Sequence, residues 1–123
     1  MLEINTECRK GIFFVRLNGQ LTKGTVAKLN EEITSLVKDN GIKNVVFNID
    51  ELNVIDMKGI NALLYNYEIV KANNGYGCLC GINNSLVRQR IQNSRLLKYM
   101  HETSDEIGAI NIINLHKEKI YEQ

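Results

Sequence analysis

The sequence predicts an α/β fold: a small mixed sheet of four or five strands packed with about four helices. Three observations carry this. Short apolar runs alternate with longer stretches whose apolar residues recur every three or four positions, the periods of strand and helix in turn. Strands separated by helices imply parallel crossovers, while two strands opening the chain together can lie antiparallel. The 123 residues, 44% hydrophobic and 24% charged, match one ordinary globular unit, 1–123. A chain of that size can bury roughly 65% of its unfolded surface without metal or disulfide.

With no proline present, glycine, asparagine and hydrophobic period punctuate the chain. Residues 2–8 read as a first strand, and Arg9-Lys10-Gly11 as a turn. Residues 12–18, IFFVRLN, form a strongly apolar second strand ended by Gly19. From Thr25 the period changes: Val26, Leu29, Ile33, Leu36 and Val37 share one face of a helix that Asn40-Gly41 closes. Residues 44–49, NVVFNI, are a buried strand rich in β-branched side chains. A second helix follows Asp56, burying Ile60, Leu63, Leu64, Tyr67 and Val70 and closing at Asn73-Asn74-Gly75. Residues 76–82 form a fourth strand, and residues 84–93 a third helix with Leu86, Val87 and Ile91 inward. Thr103 and Glu106 have the spacing of a capping box, opening a last helix through Ile107 and Ile110 after a further short strand.

Composition narrows the function. Fifteen basic against fourteen acidic side chains leave a net charge of +1, without the basic excess or stripe of a nucleic-acid binder. No apolar run reaches the roughly 18–20 residues that span a bilayer, and MLEINTECRK lacks a secretory pattern, so a cytoplasmic protein without membrane insertion is expected. Three cysteines are an odd number; Cys78 and Cys80 point to one face of a strand, as small buried hydrophobes. His101 and His116 have no cysteine partner at ligand spacing. No nucleophile–base pair, phosphate-binding glycine loop or metal set is visible. The expectation is a non-enzyme with no catalytic residue, no metal and no cofactor.

One segment stands out. Asp56 precedes Met57-Lys58-Gly59-Ile60 and can cap the first turn of its helix; with Asp50 and Glu51 it could alternatively form a carboxylate cluster. Lys58 faces the positive end of the helix dipole, an unfavourable placement by about 0.3–1 kcal/mol. Either Asp56 offsets this, or Lys58 is kept for a partner. Gly59 leaves the helix start open to another backbone, or packs on the sheet. Met57 is an exposed apolar anchor or is buried under the loop. Arg88, Arg90 and Arg95 read as a solvated face.

The stretch NVVFNIDELNVIDMKGINALLYNYEIVKANNG resembles the central signature of STAS domains, the family of bacterial anti-sigma factor antagonists, with Asp56-Met57-Lys58-Gly59 at its D-S-S-G-type motif. GIFFVRLNGQLTKGTVAKL is similar to the preceding strand, G-x-L turn and first helix. CLCGINNSLVRQRIQNSRL is similar to the fourth strand and third helix, with its S-x-L ending at Ser94 and Leu96. The resemblance implies a regulator that binds an anti-sigma factor of the GHKL ATPase type, released when that kinase phosphorylates the serine before the motif's glycine. That acceptor position is Lys58 here, which no serine kinase can modify, so the usual switch is not expected. Thr22, where relatives carry an acidic residue, or Thr25 could be modified instead, although turn and helix-start roles suffice for both.

The leading expectation is therefore an antagonist-like protein docking its partner through Thr22, Lys23, Gly24, Asp56, Met57, Lys58, Gly59, Asn61 and Asn84. An alternative is a non-enzymatic subunit or scaffold of a stress-signalling or transport assembly, with homo-oligomers possible. A third is an anion or nucleotide site at the second helix's start.

Overall fold

In the computed structural model, which describes the backbone of residues 1–122 and the side chains of residues 1–117, five strands form one sheet in the order β1-β2-β3-β4-β5. The strands are β1 (Leu2–Arg9), β2 (Ile12–Leu21), β3 (Asn44–Ile55), β4 (Tyr76–Cys80) and β5 (His101–Thr103). β1 is antiparallel to β2, and every later neighbour is parallel. The opening pair is joined by a two-residue turn in which Lys10 and Gly11 both take positive φ, the backbone twist that a tight hairpin needs.

The helices are α1 (Val26–Leu29), α2 (Ser35–Asp39), α3 (Met57–Ala72), α4 (Ser85–Gln92), α5 (Leu96–Tyr99) and α6 (Glu106–Glu122). A π-helical segment, Asn30–Thr34, joins α1 to α2. Because β2 to β5 step across the sheet in one direction, right-handed crossovers place α1 to α5 on a single face. The main core lies there: Leu29, Ile33, Ile60, Leu63, Val87, Ile91 and Leu96 pack on Phe13, Val15, Leu17, Phe47, Ile49 and Leu79. The opposite face is covered by α6, where Ala109 and Ile113 meet Ile12, Phe14, Val46, Cys78 and Cys80. Both cysteines are thus buried on one face, and burial pushes each thiol up to about 12.

Several expectations need correction. β2 runs through Gly19 to Leu21, and β3 continues past residue 49 to Ile55; register shifts between the two absorb the extra length and lengthen both strands toward the α3 start. β4 stops at Cys80, and the π-helical segment divides the first expected helix into α1 and α2. Leu36 and Leu86 are exposed, since each falls just outside the arc that meets the sheet. Ile107 is also exposed. Thr103 does not cap α6: its hydroxyl donates to the Asp105 carbonyl, and Asp105 accepts from the Gly108 N–H at 2.8 Å. Glu106 turns instead to the sheet, accepting from Arg16 at 2.7 and 2.8 Å and from the Asn48 amide at 2.8 Å. Hydrogen bonds from Arg16 hold the Glu106 carboxyl below its usual range despite partial burial. Arg88 is not simply solvated, because Glu102 holds it at 2.5 Å.

Candidate protein-contact site

The extended β2 and β3 end side by side, Leu21 paired with Ile55, and deliver two loops to one place. Asp56 joins them. One carboxylate oxygen accepts the Gly59 N–H at 2.9 Å, capping α3; the other accepts the Lys23 N–H, also at 2.9 Å. Partial burial pushes this carboxyl up, but the N–H groups of Gly59, Lys23 and Lys58 and the nearby Lys23 charge outweigh it, and the net shift is downward. Capping is therefore the role of Asp56. Asp50 is engaged elsewhere, by the Asn83 amide, and no paired-carboxylate geometry links the two.

The other loop is ordered by its own side chains. The Thr25 hydroxyl donates to the Gln20 carbonyl at 2.8 Å and accepts from the Thr22 N–H at 2.9 Å. The Thr22 hydroxyl accepts the Gly24 N–H at 3.3 Å. Both threonines thus hold the turn that presents Lys23 and Gly24 to solvent. Gly59 is buried, and a Cβ there would stand 2.2 Å from the Leu21 carbonyl oxygen. Its missing side chain lets α3 seat against the end of β2, and the backbone that approaches it is the chain's own.

Met57 is 60% exposed, and Lys58 beside it is exposed. Among the described residues no ion pair involves Lys58. Asn61 and Tyr65 continue from Met57 at four-residue steps, extending an exposed stripe along α3. Met57 also borders a shallow hollow of about 180 Å³ with Asp56, Ile60, Arg90 and Asn93. Thr22, Lys23, Gly24, Asp56, Met57, Lys58 and Asn61 therefore lie together. Asn84 stands apart in its bonding, capping α4 by accepting from the Leu86 and Val87 N–H groups at 2.9 and 3.1 Å. Tyr65 and Asn93 are absent from the surface expected from sequence, and Arg90, expected on a solvated face, borders it; for Tyr65 the signal is its four-residue spacing from Asn61.

Fold and site together define a small mixed α/β domain that displays the start of its central helix beside a basic loop. The chain belongs to the STAS domain family, whose model matches residues 3–110. It is 24% identical over 109 residues to an anti-sigma F factor antagonist of Paenibacillus polymyxa, covering 89% of this chain and 92% of that one. Among solved structures, an anti-sigma factor antagonist from Mycobacterium paratuberculosis superposes with a TM-score of 0.79 at 16% identity, covering 93% of this chain and 95% of that one. The unphosphorylated form of the anti-sigma factor antagonist SpoIIAA gives 0.68, also at 16% identity, over 93% of this chain and 98% of that one. Among the described residues, no helix is long and apolar enough to cross a membrane.

Proposed function

We propose that this chain, 1–123, is a single cytoplasmic, non-enzymatic regulator that binds an anti-sigma factor of the GHKL ATPase type through the α3 start. The family, and the antagonist relative at 24% identity, support the class of partner. The observation that carries the site is the pairing of an exposed Met57 with an exposed Lys58 in the first turn of α3, which Asp56 caps and ties to the Lys23 loop. Met57 supplies the apolar anchor and Lys58 a charge-assisted contact to a partner carboxylate, flanked by Lys23, Asn61 and Thr22. Lys58 occupies the position from which a phosphoserine would repel the partner, so binding proceeds without that switch.

The test is capture of the partner by the wild-type chain and by Lys58→Glu from host lysate, with and without ATP. Recovery of a GHKL-type ATPase by wild type and its loss in the variant is expected. Equal capture by both removes this surface. Recovery of transport or assembly subunits in its place replaces the antagonist reading with a scaffold role.

A further inference from the structure

We propose that β1 is a dimerisation edge, pairing antiparallel with β1 of a second copy about a two-fold axis at Thr6. β1 ends the sheet, and among the described residues only β2 pairs with it. The other sheet edge, β5, is three residues long, whereas β1 has eight. Long edges in natural proteins are blunted by proline, bulges, covering segments or charged side chains, and here the charges of Glu3, Glu7 and Arg9 are of mixed sign. β1 has no proline, and its register with β2 runs from Leu2 to Arg9 without a shift.

The register also fixes which groups are free. The tight turn closes on the Arg9–Ile12 pair, so odd-numbered residues of β1 turn their N–H and C=O toward β2 and even-numbered residues turn theirs outward. Two contacts agree with this: the Met1 carbonyl accepts from the Gln20 N–H at 2.9 Å, and the Leu2 carbonyl is free to accept from Lys28 Nζ at 2.7 Å. Lys28 therefore occupies the outward group at one end. Ile4, Thr6 and Cys8 keep theirs.

Centring a two-fold axis on Thr6 uses all three. Thr6 meets its own copy, Ile4 meets Cys8 in both directions, and about six backbone hydrogen bonds form. On the opposite side of the ladder the same register sets Glu3 against Arg9 twice and Asn5 against Glu7. Glu3 and Arg9 are exposed; among the described residues the one ion contact of Arg9 is to Glu7 at 3.7 Å, and its guanidinium also lies 5.2 Å over the Phe14 ring. Shifting the axis to Asn5 sets Glu3 against Glu7, and shifting it to Glu7 sets that carboxylate against itself; both place like charges directly opposite, which destabilises a strand pair. Moving the axis to Cys8 also opposes Glu7 and Arg9 but leaves Ile4 unpaired, so hydrogen-bond count and charge complementarity together select one register and a second copy of this chain as the occupant.

Sedimentation velocity of the full chain from about 5 to about 500 µM tests this, a range suited to an interface smaller than the standard size. Wild type should pass from monomer to dimer across it. Thr6→Pro removes the outward N–H at the axis, where an edge strand tolerates proline, and should leave a folded monomer at all concentrations. Arg9→Glu should weaken dimerisation about tenfold, and combining it with Glu3→Arg should restore it. In a Cys8→Ser background, Thr6→Cys should cross-link to dimer on mild oxidation. A wild type monomeric at about 500 µM overturns the proposal. So does a dimer indifferent to Thr6→Pro with a charge swap that restores nothing, which would place the interface elsewhere. The partner-capture test addresses the α3 start and stands or falls separately.

Discussion

Replacing Asp56 by alanine removes two hydrogen bonds with one substitution, and the structure sets the cost. Loss of an N-cap costs about 1 kcal/mol, within a range of 0.5–2. The bond to the Lys23 N–H adds about 1 kcal/mol more, below the roughly 1.5–3 of a charged acceptor because the donor lies in an exposed loop. The expected loss is about 2 kcal/mol. For a chain of this length that lowers Tm by roughly 8 °C, at about 4 °C per kcal/mol. Asp56→Asn separates the two contributions. Its carbonyl oxygen still caps α3, but its amide group turns a donor toward Lys23, so only half of the loss is expected. The pH dependence follows from the sign of the shift. The folded carboxyl lies below its ordinary 3.8, so its contribution is complete above that value and declines as pH falls through 3.8 toward the lower folded value. Thermal melts of wild type, Asp56→Ala and Asp56→Asn between pH 7 and pH 3 read all of this. Equal melting of wild type and Asp56→Ala at pH 7, or a steeper acid loss in Asp56→Asn than in wild type, would refute the assignment.

Other substitutions probe different contacts. Gly59→Ala gains helix propensity but drives a methyl into the Leu21 carbonyl at 2.2 Å and Ile55 at 3.0 Å, so denaturant melts should show a net loss of about 2 kcal/mol. Glu106→Gln loses the charged two-point contact to Arg16 and should cost about 1–2 kcal/mol at neutral pH, with the deficit closing as pH falls below the usual glutamate range; a pH-independent deficit would mean the pair is not ionic. Asn66 is fully buried with its amide bonded to Thr34 and Ala62 and its carbonyl oxygen without a partner among the described residues, so Asn66→Leu should hold or raise Tm. Thiol titration of the folded chain at pH 8 should find Cys8 alone reactive, with Cys78 and Cys80 appearing only on denaturation.

The parts of the fold legible in the sequence were those set by local period. Val26, Leu29, Ile33 and Val37, and Ile60, Leu63 and Val70, mark their helix faces by spacing alone, and all but the half-buried Val26 are fully buried. The ends of β2 and β3 are not legible, because Gly19 reads as the end of one strand and the apolar run of the other stops at Ile49, while the register shifts that carry both strands further are properties of the strand pair. Glu106 was misplaced for the same kind of reason. A capping-box spacing is local, but its partners Arg16 and Asn48 are 90 and 58 residues away in sequence, and two strong hydrogen bonds to a guanidinium outweigh one to a helix N–H. At the candidate site, cap and turn chemistry gives the local roles that the structure shows for Asp56, Thr22 and Thr25. Whether Gly59 was open or packed, and whether Met57 was exposed or buried, depended on the distance between β2 and α3, which no window of sequence contains.

That geometry sharpens the question of why a lysine stands at position 58. In the first turn of α3 its charge faces the positive end of the helix dipole, and among the described residues it forms no ion pair. Asp56 is already committed to two N–H groups, so its offset of Lys58 is diffuse. For the isolated chain, glutamate at position 58 would exchange an unfavourable dipole contact for a favourable one, a gain of up to about 1–2 kcal/mol before repulsion from Asp56 reduces it. Lys58→Glu should therefore melt at or slightly above the wild-type temperature, by up to roughly 4 °C. A structural role for Lys58 requires the opposite, a variant less stable than wild type. If the variant is as stable as wild type and has lost its partner, stability cannot be what retains the lysine, and the partner's carboxylate is the remaining physical reason for a cation at that helix start.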